Sequence, residues 1–292
     1  MAFEYMEITD PLFVENLGKC EEDDYLMNHE KDLLEADVYP DDVWVISYPK
    51  SGTTWVQEMV WCICNDLNFE AARANSLQSR FPFLEASSFA PVSFNTYEYA
   101  RNTPRPRFIK THLPVSMLPK RYWEIKPKTI HIRRNPKSVA VSYFFHSERF
   151  FYKCSMDTFL RSFVREHQFF SPYHAHVIEY HELQDCDNIL HLTYEEMKRY
   201  LPAVVRKVCE FFGKSYSKPE LELLYQHLSF KSIRDNPTLN RENPNDPIKR
   251  TPFIRNGEAD GWKHELTPEQ IHMLDEWTKE RVPNPQHRKL FE

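Results

Sequence analysis

Four short apolar runs, each ending in polar residues and most of them leading into a helical pattern, constrain this chain more than any other feature. They are Val43-Trp-Val-Ile-Ser-Tyr48, Arg107-Phe-Ile-Lys110, Thr129-Ile-His-Ile-Arg133 and Asn188-Ile-Leu-His-Leu-Thr193. Continuous apolar runs of this length fit strands buried on both faces. After the first run, Trp55, Val56, Met59, Val60 and Ile63 recur at helical spacing. After the third, Asn135-Pro136 supplies an N-cap followed by proline at the first helical position. The fourth runs into Tyr194-Glu-Glu-Met-Lys and a helix expected from about Pro202 to Phe212, with Gly213 as its C-cap. Thr267-Pro-Glu-Gln270 fits a capping box that opens a last helix. Strands alternating with helices predict an α/β fold: a central parallel sheet flanked by helices, with ligands collecting at the carboxyl ends of the strands. No repeat or linker divides the 292 residues, so residues 1–292 read as one domain. A Pro/Asn-rich stretch, 236–252, reads as a long loop.

The bulk composition narrows the ligand. A net charge of −6 speaks against nucleic acid as a partner, so a local cluster of Lys and Arg would mark a specific anion. No run of about 18 apolar residues is present to span a membrane. Met1-Ala-Phe-Glu-Tyr-Met-Glu lacks the pattern of a secretory signal. The six cysteines are scattered with no CxxC pair, which favours reduced thiols, a cytoplasmic setting, and neither zinc nor a disulfide framework.

Beyond the first strand lies Tyr48-Pro-Lys-Ser-Gly-Thr-Thr-Trp55. A glycine and three hydroxyl residues on a strand-to-helix turn aim backbone N–H groups and the positive helix end at one spot, and Lys50 adds a full charge. The turn is P-loop-like without being a Walker A motif, because Lys50 precedes the glycine instead of following it. The other strand ends deliver Lys110 with His112, Arg133 with Arg134, and Tyr194 with Glu195. None ends in an aspartate suited to hold magnesium, so the pattern fits a polyanion handled without a metal and is wrong for a kinase or NTPase. A histidine beside Lys110 at a strand end is a candidate general base. His131, inside a strand pattern, reads as a core histidine. Phe253-Ile-Arg-Asn-Gly-Glu-Ala-Asp-Gly-Trp-Lys263 offers Arg255 and the amides near Gly257 for a second phosphate, or is an exposed turn carrying an arginine.

Together these segments resemble the cytosolic sulfotransferase family over roughly residues 35 to 280. The loop at 48–55 is similar to that family's 5′-phosphosulfate loop. Arg134-Asn-Pro-Lys-Ser-Val-Ala-Val-Ser142 is similar to its 3′-phosphate element, Lys110-Thr-His-Leu-Pro114 to its catalytic-histidine segment, and Arg255-Asn-Gly257 to its C-terminal phosphate loop. The resemblance implies a fold in which residues 1–35 are an extension packing on the acceptor side. It implies 3′-phosphoadenosine 5′-phosphosulfate (PAPS) as sulfuryl donor, with PAP as product and no metal. His112 is then the base that activates an acceptor hydroxyl. Lys50 and the amides of Ser51, Gly52, Thr53 and Thr54 stabilise an in-line transfer, and Lys110 holds the sulfuryl oxygens. Arg134 and Ser142 take the 3′-phosphate, with Ser142 steering Lys50. Trp55 and Phe230 stack on adenine near Tyr194 and Leu228, and Arg255, Asn256 and Gly257 close the phosphate site. Phe83, Phe145 and His146, with Lys110 and His112, line an acceptor pocket suited to a small hydrophobic hydroxyl compound such as a phenol, a steroid or another alcohol.

The chain departs from the family pattern at four places, one of them a Gly-Asp-Trp order that becomes Asp260-Gly261-Trp262 and alters that turn. Asn256 replaces a lysine, which removes one cationic phosphate contact. Leu228 stands where a hydroxyl residue near adenine is usual. The family's dimer motif is half present, with Lys263 and Thr267 matching and Pro268 and His272 not, so a monomer or weak homodimer is expected. Two other outcomes fit the same fold: a dehydratase that eliminates a transient sulfate from an allylic alcohol, and a nucleotide-binding protein without turnover.

Overall fold

The computed structural model describes residues 33–88, 95–241 and 251–292. Most of the N-terminal extension and residues 242–250 of the long loop therefore lie outside the described part, as does Cys20. Four strands form one fully parallel sheet in the order β2-β1-β3-β4. They are β1 (Val43–Ile46), β2 (Phe108–Thr111), β3 (Lys128–Arg133) and β4 (Ile189–Thr193), so all four predicted runs are strands. The main helices are α1 (Thr53–Cys64), α2 (Pro136–Phe150), α3 (Met156–Val164), α4 (Tyr173–His181), α5 (Tyr194–Phe211), α6 (Lys218–His227), α7 (Phe230–Asp235) and α8 (Pro268–Arg281).

Strand β1 explains why its run is apolar without alternation. Val43 and Val45 join one core, packed by α1, α5 and α6, while Trp44 and Ile46 join a second core on the opposite sheet face. Successive side chains of a strand point to opposite faces, so a central strand covered on both sides must be apolar throughout. A third cluster, built by α2, α3, α4 and α8, holds the C-terminal half. Buried polar contacts cross-link the elements: Glu58 of α1 pairs with Arg80 at 2.7 Å and contacts His227 of α6 at 2.6 Å, and Arg107, just before β2, pairs with Asp42 at 2.6 Å.

The predicted caps are present. Asn135 accepts from the Lys137 N–H ahead of Pro136, Thr267 forms the capping box with Gln270, and Gly213 ends its helix at φ 64°. Two boundaries differ from expectation. Helix α5 consists of two helical pieces that meet at non-helical Tyr200: the piece beginning near Pro202 is the expected one, and the piece beginning at Tyr194 is not. The kink falls there because the proline ring lacks an N–H and crowds the turn before it. The stretch that reads as loop from 236 is helical over Pro237–Asn240, with Asn236 as the cap. The five described cysteines are free, and no described helix is long and apolar enough to cross a membrane.

Candidate active site

The register of the sheet assembles the site. Val45 of β1 pairs with Lys110 of β2, and Ile46 with Thr111, so the next residues along, Ser47 and His112, leave the sheet side by side. The His112 Nδ1 lies 2.5 Å from the Ser47 carbonyl oxygen. A carbonyl only accepts, so Nδ1 carries the proton and Nε2 keeps the lone pair. The His112 main-chain N–H donates to Glu85 Oε1 at 2.6 Å, and His176 Nε2 lies 3.2 Å from the His112 carbonyl. Burial, reinforced by the charge of Lys110, holds the imidazole pKa well below its usual value. Burial and this hydrogen bond therefore favour a neutral imidazole of fixed tautomer.

The turn after β1 supplies the anion site. Lys50 (φ 67°) and Gly52 (φ 101°) are both left-handed. A Cβ on Gly52 would fall 2.7 Å from the Tyr194 ring, so glycine is required by conformation and by contact. The first turn of α1 follows with no side-chain cap, which leaves its amides and positive pole to a ligand. Ser47 Oγ bonds Thr53 Oγ1 at 2.7 Å. Lys50 Nζ sits 3.4 Å from His146 Nδ1 and 4.6 Å from the centre of the Phe253 ring. Burial first, then the charges of Arg241, Arg134 and Arg149, lowers the Lys50 pKa to about 7.

These groups open onto one cavity of about 620 Å³. Its lining includes Lys50, Gly52, Thr53, Thr54, Trp55, Phe83, Lys110, His112, Arg134, Ser142, His146, Tyr194, Phe230, Arg255, Asn256 and Gly257. Cations dominate: among the described residues Lys50, Lys110, Arg134, Arg241 and Arg255 line it against the single carboxylate of Glu258. The Arg134 guanidinium lies 4.0 Å from the centre of the Tyr194 ring, donates to the Lys50 and Glu258 carbonyls, and has a buried Nε without a partner. Trp55 and Tyr194 meet edge to face at 5.9 Å, and Gly257 is so close to Phe230 that a Cβ there would lie 2.2 Å from the ring. This donor set fits a polyanionic adenine nucleotide: uncapped amides and cations for phosphates, flanked by aromatic faces.

Several expected site residues sit differently. Leu228 is fully buried in the core, and its contribution is a carbonyl that accepts the Trp55 Nε1–H at 2.9 Å. Phe145 lies outside the cavity lining because it packs under the Arg255 guanidinium at 4.2 Å and against Phe144 at 5.0 Å. Ser51 is buried and outside the cavity lining, and its hydroxyl has no hydrogen-bond partner among the described residues, so its expected contribution is confined to the main-chain amide. Arg255 is ion-paired with Glu265, so an incoming phosphate has a carboxylate to displace. Ser142 lines the cavity, but the side chain that meets Lys50 is His146.

Other residues were not foreseen. Ser138 lines the cavity one helical turn before Ser142 and donates to the Ala259 carbonyl at 2.6 Å; the i, i+4 spacing within the quoted motif is the signal that points to it. Phe150, Phe151, Phe169, Phe170 and Phe253 form an aromatic wall facing His112 and Phe83. Phe83 and Phe170 flank His112 edge-on at 5.0 and 5.3 Å, and Lys110 Nζ lies 3.7 Å over the Phe83 ring.

A family model for the sulfotransferase domain matches residues 40–285. The luciferin sulfotransferase of Photinus pyralis is 36% identical over 280 residues, covering 88% of this chain and 75% of that protein. Sulfotransferase 1B1 of Mus musculus is 31% identical, covering 88% of each. Among solved structures, a retinol dehydratase in complex with androsterone and the inactive cofactor PAP superposes with a TM-score of 0.83 at 26% identity over 97% of both chains. A mouse sulfotransferase complexed with PAP superposes with a TM-score of 0.70 at 25% identity, over 93% of this chain and 94% of that one.

Proposed function

This chain belongs to the sulfotransferase family, and on that premise we propose that it sulfates the hydroxyl of a small hydrophobic acceptor, with His112 as the general base. The observation that carries the proposal is the fixed tautomer of His112: Nδ1–H donates a hydrogen bond to the Ser47 carbonyl, leaving a basic Nε2 on a residue that lines the cavity.

PAPS bound in this cavity supplies an activated sulfuryl group and a phosphate leaving group. Lys50 and the amides opening α1 would hold the phosphosulfate end, and Arg134, Ser138, Ser142 and the 255–257 turn the 3′-phosphate end. Trp55, Phe230 and Tyr194 offer the flat faces for adenine. His112 Nε2 accepts the hydroxyl proton of the acceptor, raising the nucleophilicity of its oxygen. Lys110 and Lys50 offset negative charge that builds in an in-line transfer. The aromatic wall excludes water from the base and receives the apolar body of the acceptor.

Transfer of labelled sulfuryl from PAPS to phenols, steroids and aliphatic alcohols tests this, with His112→Ala alongside. Sulfated products from the wild type, together with a variant that binds PAP yet does not turn over, support the reading. Nucleotide binding with no acceptor sulfated at all contradicts it. The match to a retinol dehydratase favours one second reading, elimination from a transiently sulfated allylic alcohol. Product mass separates the two, by gain of a sulfuryl group or loss of water.

A further inference from the structure

We propose that Arg241 selects acceptors that carry an anionic group, a carboxylate in the first instance, in addition to the hydroxyl that is sulfated. The inference rests on the sulfotransferase reading above and narrows its substrate class. Arg241 lies in the stretch that reads as loop in the sequence, one residue beyond the short Pro237–Asn240 helix, in a left-handed conformation of φ 53°. A non-glycine residue in that region is strained, and such positions persist where the surroundings enforce them. The enforcing group is Arg149 of α2, itself buried, whose guanidinium donates to the Arg241 carbonyl at 2.9 Å and to the Thr251 carbonyl at 2.6 Å. Arg149 thus ties both ends of the 241–251 segment to the helix that carries Ser142 and His146.

The Arg241 side chain is surface-accessible, yet protein surrounds it closely enough for burial and Arg149 to lower its pKa to about 10. A side chain projecting into a cavity has both properties, and Arg241 is part of the cavity lining. Its guanidinium lies 4.6 Å from the centre of the Phe253 ring, the same ring that Lys50 Nζ approaches at 4.6 Å. Phe253 in turn packs with His146 and Phe150. Arg241 therefore belongs to the aromatic wall on the acceptor side. The faces offered to adenine, Trp55, Tyr194 and Phe230, stand elsewhere in the lining.

Among the described residues no carboxylate pairs with Arg241, and the one lining carboxylate, Glu258, follows the 255–257 turn on the nucleotide side. An anionic group on the acceptor would supply the counter-charge that the described residues do not give Arg241. A guanidinium is the side chain best shaped for this, since it binds a carboxylate through two parallel hydrogen bonds. A neutral phenol of the same size would leave that fork unmatched.

The test compares 6-hydroxy-2-naphthoate with 2-naphthol, which share the ring and hydroxyl and differ in the carboxylate. The wild type is expected to favour the naphthoate in kcat/KM, and Arg241→Gln to lower that preference by about tenfold or more, with Arg241→Lys between the two. The dissociation constants of both compounds for the PAP-bound enzyme, read by calorimetry, should move in the same ratio. This second readout needs no turnover, so the role of Arg241 stays testable even if neither compound is sulfated and the reaction class is wrong. A preference that is absent in the wild type, or identical in wild type and Arg241→Gln, overturns the proposal. So does a glutamine variant that weakens PAP binding and leaves the ratio between the two naphthols unchanged, because Arg241 would then serve the nucleotide.

Discussion

The two walls of the cavity are built by different means. The side proposed for the nucleotide is made of backbone: left-handed turns at Lys50, Gly52 and Gly257, an uncapped helix start, and glycines pressed against Tyr194 and Phe230. The side proposed for the acceptor is made of side chains, chiefly phenylalanines at 83, 150, 151, 169, 170 and 253, carried by α2 and by connecting segments. A wall of backbone admits few alternatives, because each position requires a particular dihedral or a missing Cβ. A wall of aromatic side chains keeps its apolar character while its shape changes with each substitution. His112 sits at the seam, anchored to the first wall through Ser47 and ringed by Phe83 and Phe170 of the second.

Substitution at the seam should give the largest effect. His112→Ala is expected to lower kcat by about 10²–10⁴-fold with little change in PAP affinity, as measured by single-turnover rates and calorimetry. A comparable loss of PAP binding would mean that the two walls are not separable. On the nucleotide side, Gly257→Ala places a Cβ 2.2 Å from Phe230 in a left-handed conformation. It should weaken PAP binding by about tenfold or more, and unchanged affinity would show that the turn yields. On the acceptor side, Phe170→Ala removes a ring beside His112. A several-fold rise in acceptor KM, with the PAP dissociation constant unaltered, would sharpen the contrast.

Two smaller effects probe the electrostatics of the nucleotide wall. Asn256→Lys should tighten PAP by roughly three- to tenfold, at the lower end for a charge-assisted bond because the position is partly exposed. Lys50, lowered to about 7 in the free protein, is half deprotonated near neutrality. A bound anion favours the charged form and raises that pKa. PAP binding at pH 7 to 8 should therefore take up a fraction of a proton, seen as a dependence of calorimetric enthalpy on buffer ionisation heat. No uptake would mean that Lys50 is already charged without ligand.

The same division decides what could be read from the sequence. The strands, the caps at Asn135 and Thr267, and the loop at 48–55 are local: each depends on neighbouring residues and a known dihedral requirement. So is the pairing of Lys110 with His112 at one strand end. The acceptor wall depends on tertiary placement. Phe145 and His146 are adjacent, yet the helix turns one toward Lys50 and the other beneath Arg255. Phe169 and Phe170 precede α4 with no spacing that distinguishes them from core aromatics, and Arg241 follows a helix of four residues that reads as loop. Leu228 shows the opposite error: the position matters, but through a carbonyl that no side-chain pattern reveals.

The bond between His112 and the Ser47 carbonyl has a consequence for how such an enzyme diversifies. His112 and the 48–55 loop leave neighbouring parallel strands in fixed register, so their spacing belongs to the sheet and is indifferent to what occupies the rest of the cavity. The chemistry behaves as a chassis and the aromatic wall as an exchangeable fitting. Exchanging residues 145–170 between relatives should move the choice of acceptor, read as kcat/KM over a panel of hydroxyl compounds, while PAP affinity stays unaltered, which makes that segment the place to begin redesign.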